Sequence, residues 1–328
     1  MNFCIGIDIG GTKCAAILAY SQVRDPEKAI LGRSCFQTDP YNPQLNQICD
    51  AIDSLLEKFL TSPDDRLDGI GISCGSPLDS ERCIIQAPPN LPGWIDVPIG
   101  DVLRERYHCP VVLENDANAC AVAEWKFGAG RGTRNMIFLT FGTGMGAGLI
   151  LDGRLYRGAC NMAGEVGHIA ITEHGPVGYG RAGSFEGYCS GGGLARLAQI
   201  RLTEALQKGS LPAWCPTAED IFAVSAKTVA EAAHQGDALA TEIYAESARV
   251  LGKGLSLLID ILNPEAIVIG SVYERSTDLF HPYLEEELAR NCLACSREAC
   301  RILPATLGDR IGDFAAISLV SDTNAMCC

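Results

Sequence analysis

Apolar runs separated by glycine-rich turns organise the first half of the chain. Runs at residues 3–7 and 14–18 flank one such turn, and the pattern returns at residues 136–141 and 147–151 around a second turn. Short apolar runs bounded by glycines are typical of buried strands joined in a hairpin. The repeat therefore predicts two strand-turn-strand hairpins, each opening an α/β unit.

Strand and helix patterns continue through the rest of the chain. Residues 87–98 interrupt them, because their prolines exclude regular structure, and a long irregular segment in a compact domain is more often functional than idle. Further strands are predicted at 29–36, 69–74, 111–113 and 266–269, and helices at 45–60, 117–127, 194–206, 226–262 and 312–320.

Length and charge narrow the class of protein. A chain of 328 residues predicts two domains, and we place them at residues 1–117, completed by a C-terminal helix at 312–328, and at residues 118–311. The net charge of −14 argues against nucleic-acid or membrane partners. Apolar runs stay shorter than the ~18 residues of a membrane helix, and the N-terminus lacks a basic leader. We expect a cytoplasmic protein.

The sixteen cysteines are scattered along the chain, so we interpret them mostly as buried thiols. Cys292, Cys295 and Cys300 form a C-x-x-C-x4-C pattern that could ligate a metal. No neighbouring His or fourth Cys completes a tetrahedral set, which favours structural thiols. Cys327 and Cys328 are expected to lie in a frayed tail.

The two turns carry the first candidate chemistry. They contain Gly10-Gly11-Thr12, the first glycine turn, and Gly142-Thr143-Gly144, the second glycine turn. Glycine lets a phosphate approach backbone N–H groups closely, although either turn alone could be an ordinary tight hairpin. Asp116 follows a strand and precedes a helix, where ligands gather in α/β sheets and where Asp is also a common N-cap.

Six motifs in order make the chain similar to the ROK family of sugar kinases and sugar-responsive repressors. The resemblance covers nearly the whole chain. The matching segments are D-x-G-G-T-K at 8–13, P-N-L-x-G-W at 89–94, E-N-D-A-N-A at 114–119, the glycine hairpin at 141–148, G-E-x-G-H at 164–168 and N-P-E-x-I-V-I-G at 263–270.

This resemblance implies a two-domain α/β fold of the actin and hexokinase (ribonuclease H-like) type with an interdomain cleft. It further implies ATP-dependent phosphorylation of a sugar, with Asp116 as general base and Asp8 facing Mg²⁺, directly or through water. Lys13 in the phosphate site could instead be simply solvated. The residues implied to bind ATP are Gly10, Gly11, Thr12, Lys13, Gly142, Thr143, Gly144 and Gly270.

On the acceptor side the resemblance implies a hexose or an N-acylated hexosamine, phosphorylated at the 6-hydroxyl. The alternative is a non-catalytic sugar-binding or sugar-sensing regulator of the same family. A homodimer is also implied. The residues implied to bind sugar are Asn90, Asn115, Glu165, His168 and Glu186.

One segment departs from the family pattern. Most members carry three cysteines that bind structural zinc with the preceding His, but here those places hold Val177, Tyr179 and Ser184. Neither valine nor tyrosine offers the thiolate that zinc prefers, so we predict that no zinc binds and that packing of Tyr179 and Phe185 holds the loop. The sugar pocket could be unchanged, which we favour, or its specificity, or even turnover, could have changed. Smaller departures, near the expected nucleotide site, are Ser271 and Phe314.

Overall fold

The structure, a computed structural model, describes residues 1–22 and 25–320. The tail that contains Cys327 and Cys328 lies outside the described residues. The strands are β1 (Asn2–Ile9), β2 (Lys13–Tyr20), β3 (Ile30–Gln37), β4 (Arg66–Cys74), β5 (Leu78–Asp79), β6 (Ile84–Ile85), β7 (Val111–Asn115), β8 (Met136–Leu139), β9 (Ala147–Leu151), β10 (Arg154–Tyr156), β11 (Val177–Gly178), β12 (Arg181–Ala182), β13 (Ala266–Ile269) and β14 (Arg301–Pro304).

Helices connect and cover these strands. The helices are α1 (Pro26–Ala29), α2 (Leu45–Phe59), α3 (Ile99–Tyr107), α4 (Asp116–Phe127), α5 (Phe185–Tyr188), α6 (Gly191–Gln207), α7 (Ala226–His234), α8 (Ala238–Leu262), α9 (Val272–Arg275), α10 (Thr277–Asn291), α11 (Ala294–Ala299) and α12 (Ile311–Ser318).

Two five-stranded sheets repeat one topology. The first has the order β3-β2-β1-β4-β7 and the second β10-β9-β8-β13-β14. In each sheet the first three strands in sequence order are antiparallel neighbours, and the later two are added parallel to the first. The predicted pair of hairpins is therefore confirmed, and with it the predicted α/β fold class.

The chain divides into two compact units. The first unit contains Met1–Gly132, Gly158–Asn161 and the chain from Thr306, and the second contains Thr133–Arg157 and Met162–Ala305. The sequence placed a boundary after residue 117, whereas α4 continues within the first unit. This helix packs against α12, where Phe127 and Phe314 have ring centroids 5.4 Å apart.

The last helix covers one face of the first sheet at very close range. A Cβ on Gly71 of β4 would overlap the carbonyl oxygen of Ala316, and a Cβ on Gly6 of β1 would lie 2.7 Å from the Ile317 side chain. Only glycine at these strand positions lets a helix backbone approach so closely. Phe314, which departs from the pattern of the family that the sequence resembles, is fully buried in this layer.

The predicted helix at 226–262 is wrong in one respect, because it is two helices. Gly236 has a φ of +88° and breaks the pattern, and the side chain of Asp237 then caps α8 by accepting a hydrogen bond from the amide of Ala240 at 2.8 Å. The break falls where helical periodicity is almost in phase on both sides, so the apolar pattern alone does not reveal it.

All fourteen cysteines in the described residues are free thiols, and half of them are fully buried. Cys292 and Cys300 are partly buried against the core of the second unit, while Cys295 is exposed. Within residues 1–22 and 25–320, no helix combines the length and apolarity needed to cross a bilayer.

Candidate active site

The junction between β7 and α4 holds the candidate base. Asn115 has an extended backbone (φ −60°, ψ 145°), and its side-chain oxygen accepts hydrogen bonds from the amides of Ala117 (2.9 Å) and Asn118 (3.4 Å). Asn115 is therefore the N-cap of α4. Asp116, the alternative N-cap suggested by the sequence, is instead the first helical residue, and its side chain is exposed.

Buried polar neighbours hold this junction in place. Glu114 is almost fully buried, and its carboxylate accepts hydrogen bonds from the amide of Asn115 (3.0 Å) and the side-chain amide of Asn118 (2.9 Å). The side-chain amide of Asn115 donates to the hydroxyl of Ser76 at 2.8 Å. The Asn115 side chain thus uses its oxygen for the helix cap and an N–H group for Ser76, and, against the rise that desolvation causes, its hydrogen bond to Asp116 lowers the pKa of that carboxyl.

The protein surroundings raise the pKa of Asp116 above its usual value in water. Desolvation by neighbouring protein atoms raises the pKa of the Asp116 carboxyl, and a hydrogen bond from the amide of Ala117 partly opposes this. A carboxyl whose pKa is raised accepts a proton more readily than an ordinary surface Asp.

Asp8 lies partly buried near the end of β1 among other charges. Burial first, and then the negative charges of Asp313 and Asp116, raise the pKa of Asp8 to about 6 against the opposing effect of Arg33. Arg33 donates to Asp313 through Nε at 2.9 Å. Helix α12 also comes close, since a Cβ on Gly312 would lie 2.5 Å from Asp8 Oδ2. An excess of carboxylates at this point fits a divalent cation.

The first glycine turn is closed by its own backbone and by one threonine. The amide of Gly10 donates to the carbonyl of Lys13 (3.0 Å), and the hydroxyl of Thr38 donates to the carbonyl of Gly10 (2.7 Å). A Cβ on Gly11 would lie 2.8 Å from the Cβ of Asn90, so the proline-rich loop packs directly on this turn. The side chain of Lys13 is exposed.

The second glycine turn is held from outside. The amide of Gly191, at the start of α6, donates to the carbonyl of Gly142 (2.7 Å), and the amide of Met145 donates to Oε2 of Glu186 (3.1 Å). Thr140 bonds across the base of the turn, accepting from the amide of Gly146 at 2.8 Å.

Both turns keep backbone donors unused. Across residues 1–22 and 25–320, no hydrogen-bond partner is found for the amides of Gly11 and Thr12 or for those of the second glycine turn (residues 142–144). Successive unpaired N–H groups in a glycine turn suit an anion. Gly270 differs, because its amide donates to the carbonyl of Leu139 (3.1 Å) within the sheet.

Three candidate sugar-binding residues gather in the second unit. Glu165 precedes and His168 ends a short 3-10 turn, and since side chains three residues apart in such a turn lie above one another, they share a face. A Cβ on Gly167 would lie 3.3 Å from the Cβ of Glu186, which brings the third residue alongside. Glu165 and His168 are exposed, and Glu186 is partly so.

The candidate residues divide between the two units. Within the first unit lie Asp8, the first glycine turn, Lys13, Asn90, Asn115 and Asp116. Within the second lie the second glycine turn, Glu165, His168, Glu186 and Gly270.

Sequence reasoning missed several residues that support these sites. Ser190 caps α6 by accepting from the amide of Gly193 (2.8 Å), which puts Gly191 against the second glycine turn. Thr38 and the Arg33–Asp313 pair have similar roles in the first unit. The run Ser190-Gly191-Gly192-Gly193 was a visible cap signal, whereas Thr38 and Asp313 carried none.

Comparison with known proteins agrees with this geometry. The model of the ROK family matches residues 4–323. The chain belongs to the ROK family. A glucokinase of Streptomyces coelicolor is 34% identical over 325 residues, which cover 98% of each chain. A xylose repressor of Caldicellulosiruptor bescii is 28% identical over 277 residues, which cover 84% of this chain and 68% of the repressor.

Solved ROK structures are similar over almost the whole chain. A ROK family glucokinase from Streptomyces griseus, in complex with glucose and AMPPNP, superposes with a TM-score of 0.72 at 32% identity and covers 97% of this chain and 98% of its own. The ROK hexokinase from Thermus thermophilus gives a TM-score of 0.76 at 28% identity, with coverages of 96% and 97%. These neighbours confirm the predicted two-domain actin and hexokinase fold class.

The loop in which most ROK members bind zinc is held by hydrogen bonds in this chain. Ser184, at one of the cysteine places, donates to the carbonyl of Gly178 (3.0 Å) and accepts from the amide of Gly187 (3.1 Å). Phe185 is buried against Gly254 of α8, whereas Tyr179 is 69% exposed and touches the His168 ring edge-on. Phe185 thus anchors the loop as expected, whereas the exposed Tyr179 does not pack into it and only contacts the exposed His168 ring.

No group of three or more metal-binding side chains occurs in the part of the chain that the structure describes, residues 292–300 included. The absence of zinc remains a prediction from the lost cysteines.

Proposed function

We propose that this ROK protein is an ATP-dependent sugar kinase. It would transfer the γ-phosphoryl group of ATP to a hexose or an N-acylated hexosamine, at the 6-hydroxyl, with Asp116 as general base. The glucokinase relatives support sugar phosphorylation, and the glucokinase solved with glucose and AMPPNP supports ATP as donor.

One observation carries the proposal: other residues make the structural hydrogen bonds of the junction, and the Asp116 carboxyl, which accepts from the amide of Ala117, keeps lone pairs for a ligand. Glu114, Asn115 and Asn118 make the structural hydrogen bonds of the junction, including the helix cap that Asp116 could have made. The exposed Asp116 carboxylate is left to accept a proton from a sugar hydroxyl. Because an alcohol is a poor nucleophile, a well-placed acceptor for its proton assists the attack.

The donor phosphates would bind at the glycine turns. Within the described residues the amides of Gly11, Thr12 and residues 142–144 have no hydrogen-bond partner in the protein, so phosphate oxygens could accept from them. Lys13 is close enough in sequence to add a positive charge. Mg²⁺ at Asp8 would neutralise charge on the phosphates, and the raised pKa of Asp8 indicates a place where a cation lowers the free energy.

The acceptor would be read by Glu165, His168 and Glu186, with help from Asn90 and Asn115. Such groups distinguish sugar epimers because a misplaced hydroxyl leaves a polar partner unpaired, at a cost of about 1–3 kcal/mol. The choice between a hexose and an N-acylated hexosamine rests on this set.

The rival function is sugar sensing without turnover. The 28% identity to a xylose repressor is the observation that supports this rival function. A sensor needs the sugar-reading residues but has no use for a proton acceptor at Asp116. Retention of Asp116 with its full supporting network therefore favours the kinase.

A coupled assay of ADP release tests the proposal. Glucose, mannose, fructose, allose and their N-acetylated relatives would be screened with MgATP, using wild type, Asp116→Asn and the matched control Asp50→Asn, which changes an exposed Asp on α2. We expect one sugar to stimulate ADP release, Asp116→Asn to reduce it about 100-fold or more, and Asp50→Asn to change nothing. Sugar binding without stimulated release would support the sensor, and full activity of Asp116→Asn would remove the base.

A further inference from the structure

Ser271 has a backbone conformation that normally belongs to glycine. It directly follows Gly270 at the end of β13, with φ +55° and ψ −109°. For a residue with a Cβ, this region is sterically strained. Such strain persists only where neighbouring structure imposes it and is common at ligand sites.

The neighbours of Ser271 impose this conformation. The amide of Gly270 donates to the carbonyl of Leu139 and the amide of Val272 to the carbonyl of Phe141, both at 3.1 Å. The two residues on either side are thus tied to the strand that leads into the second glycine turn. Glycine would relieve the strain in between, yet this chain has serine.

The serine hydroxyl lies beside the second glycine turn and is unused. A Cβ built on Gly142 would be 3.8 Å from Ser271 Oγ, its nearest neighbour. Ser271 is partly exposed, and within residues 1–22 and 25–320 its Oγ makes no hydrogen bond. The hydroxyl therefore stands next to the unpaired amides of the turn as one more free donor.

On the other side of Ser271 a cavity opens. Val272 lines this cavity of about 280 Å³ together with Ala230 and Tyr244 and with the charged side chains of Lys227, Glu231 and Arg275. Ser271 thus lies beside a turn of free N–H groups, and the next residue, Val272, lines a cavity with both apolar and charged walls. A molecule with an aromatic base and a phosphate chain matches both features.

From this placement we infer that the Ser271 hydroxyl donates a hydrogen bond to the phosphate chain of the nucleotide. The inference rests on the proposed use of ATP. Phosphate oxygens only accept hydrogen bonds, and bonds to charged acceptors are stronger than neutral ones. The strained serine is retained because its hydroxyl supplies a donor that glycine lacks. Ser271 is in this sense a residue for nucleotide affinity, not for the chemical step.

Two substitutions separate the hydroxyl from the strain. Ser271→Ala removes the hydroxyl and keeps a Cβ, whereas Ser271→Gly removes both. His108→Gly is a matched control, since His108 is exposed at the end of α3 with a φ of +50°. The measurements are calorimetric Kd values for MgADP, the Kd of the sugar found in the activity screen, and Tm.

Both Ser271 variants are expected to bind MgADP about tenfold more weakly than wild type, with unchanged sugar affinity. Ser271→Gly should also raise Tm by roughly 2–4 °C, and Ser271→Ala should not. His108→Gly should raise Tm slightly and leave the MgADP Kd unchanged.

If wild type binds MgADP and Ser271→Ala binds it within about twofold as tightly, the serine contact is refuted while the kinase proposal stands. If wild type does not bind MgADP at all, both are refuted. A loss of affinity in Ser271→Ala that extends equally to the sugar would mean a general disturbance and would also overturn the inference.

Discussion

The two glycine turns share a topology but differ in how they are supported. At matching places two residues before each turn stand Asp8 and Thr140. Thr140 accepts a hydrogen bond from Gly146 and so helps to close its own turn. The first glycine turn is closed instead by its own backbone and by Thr38, which directly follows β3.

This difference teaches how a repeated backbone can acquire two functions. The strand-turn-strand frame supplies N–H groups in both units. In the second unit the side chain before the turn is used for structure, and Glu186, one of the proposed sugar-binding residues, accepts a hydrogen bond from the turn. In the first unit the corresponding side chain is released from structure, and it is a carboxylate whose pKa is raised.

The largest effect is expected from neutralising Asp8, the carboxylate before the first glycine turn. Asp8→Asn should lower kcat about 100-fold or more, because it removes the charge that faces the cation. It should also stabilise the fold at pH 7.5 by about 1–2 kcal/mol, because a partly buried charge is lost. Urea unfolding and steady-state kinetics measure both.

The control is Thr140→Val, which should destabilise by about 1 kcal/mol. If Asp8→Asn and Thr140→Val shift stability in the same direction, the proposed division of roles is wrong.

Titration of Asp8 gives the second effect. Its pKa is raised from the ordinary ~3.9 to about 6, so kcat/KM should fall as pH drops through about 6, reaching roughly a tenth by pH 5. Stability should move the other way. Folded Asp8 binds a proton more tightly than unfolded Asp8, so its contribution is full below about pH 4 and is lost as pH rises through about 6.

The stability difference between wild type and Asp8→Asn should accordingly shrink from pH 7.5 to pH 4.5. A difference that stays constant with pH would contradict the assigned burial of Asp8.

The external support of the second turn predicts a coupled loss. Glu186→Ala leaves the amide of Met145 unpaired and should weaken both sugar and MgADP binding, each by about tenfold. Glu165→Ala, from the same sugar-reading set, should weaken sugar binding alone. Calorimetry with each ligand separates the two variants, and an Ala variant of Glu186 that binds MgADP normally would disprove the coupling.

A smaller effect tests whether the free amides bind phosphate. Gly142→Ala should leave Tm within about 1 °C, since the nearest atom to the new methyl group is 3.8 Å away. It should still weaken MgADP binding about fivefold, because the methyl group obstructs the ligand. Gly11→Ala is the contrasting variant and should also lower Tm, since its methyl group would strike Asn90.

The smallest effect expected is none at all. Removing metals with EDTA in the absence of nucleotide should leave Tm unchanged, because Ser184 and Phe185 hold the loop that zinc holds in most ROK members. Elemental analysis should find no stoichiometric zinc, and zinc bound through His168 would refute the prediction.

The local sequence was sufficient to predict an element wherever its turn residues and its buried apolar residues form one pattern along the chain. The paired hairpins, β13 and the junction at Asp116 are of this kind, since glycine turns and apolar runs mark them directly. β14 was missed because Arg301–Pro304 is only partly buried and lacks a strand pattern. The N-cap role of Asn115 was missed because Asn115 and Asp116 are both good caps, and only the backbone at Asn115 decides between them.

Electrostatic interactions between residues far apart in the sequence could not be predicted from local sequence patterns. Asp313 lies 305 residues after Asp8 in sequence, and nothing near either residue predicts that α12 brings them together. The strain at Ser271 is similarly imposed by hydrogen bonds to Leu139 and Phe141 on a distant strand.

The covering of the first sheet by α12 dictates an order of events during synthesis. The glycines of β1 and β4 are shaped to receive Ala316 and Ile317, which a ribosome adds only after every residue of the second unit. The second unit can fold while the nascent chain is still growing. The first unit cannot complete its fold until α12 is made, and until then one face of its sheet is exposed. The half of the molecule made first is therefore the half completed last, and it is the half that a chaperone would need to protect.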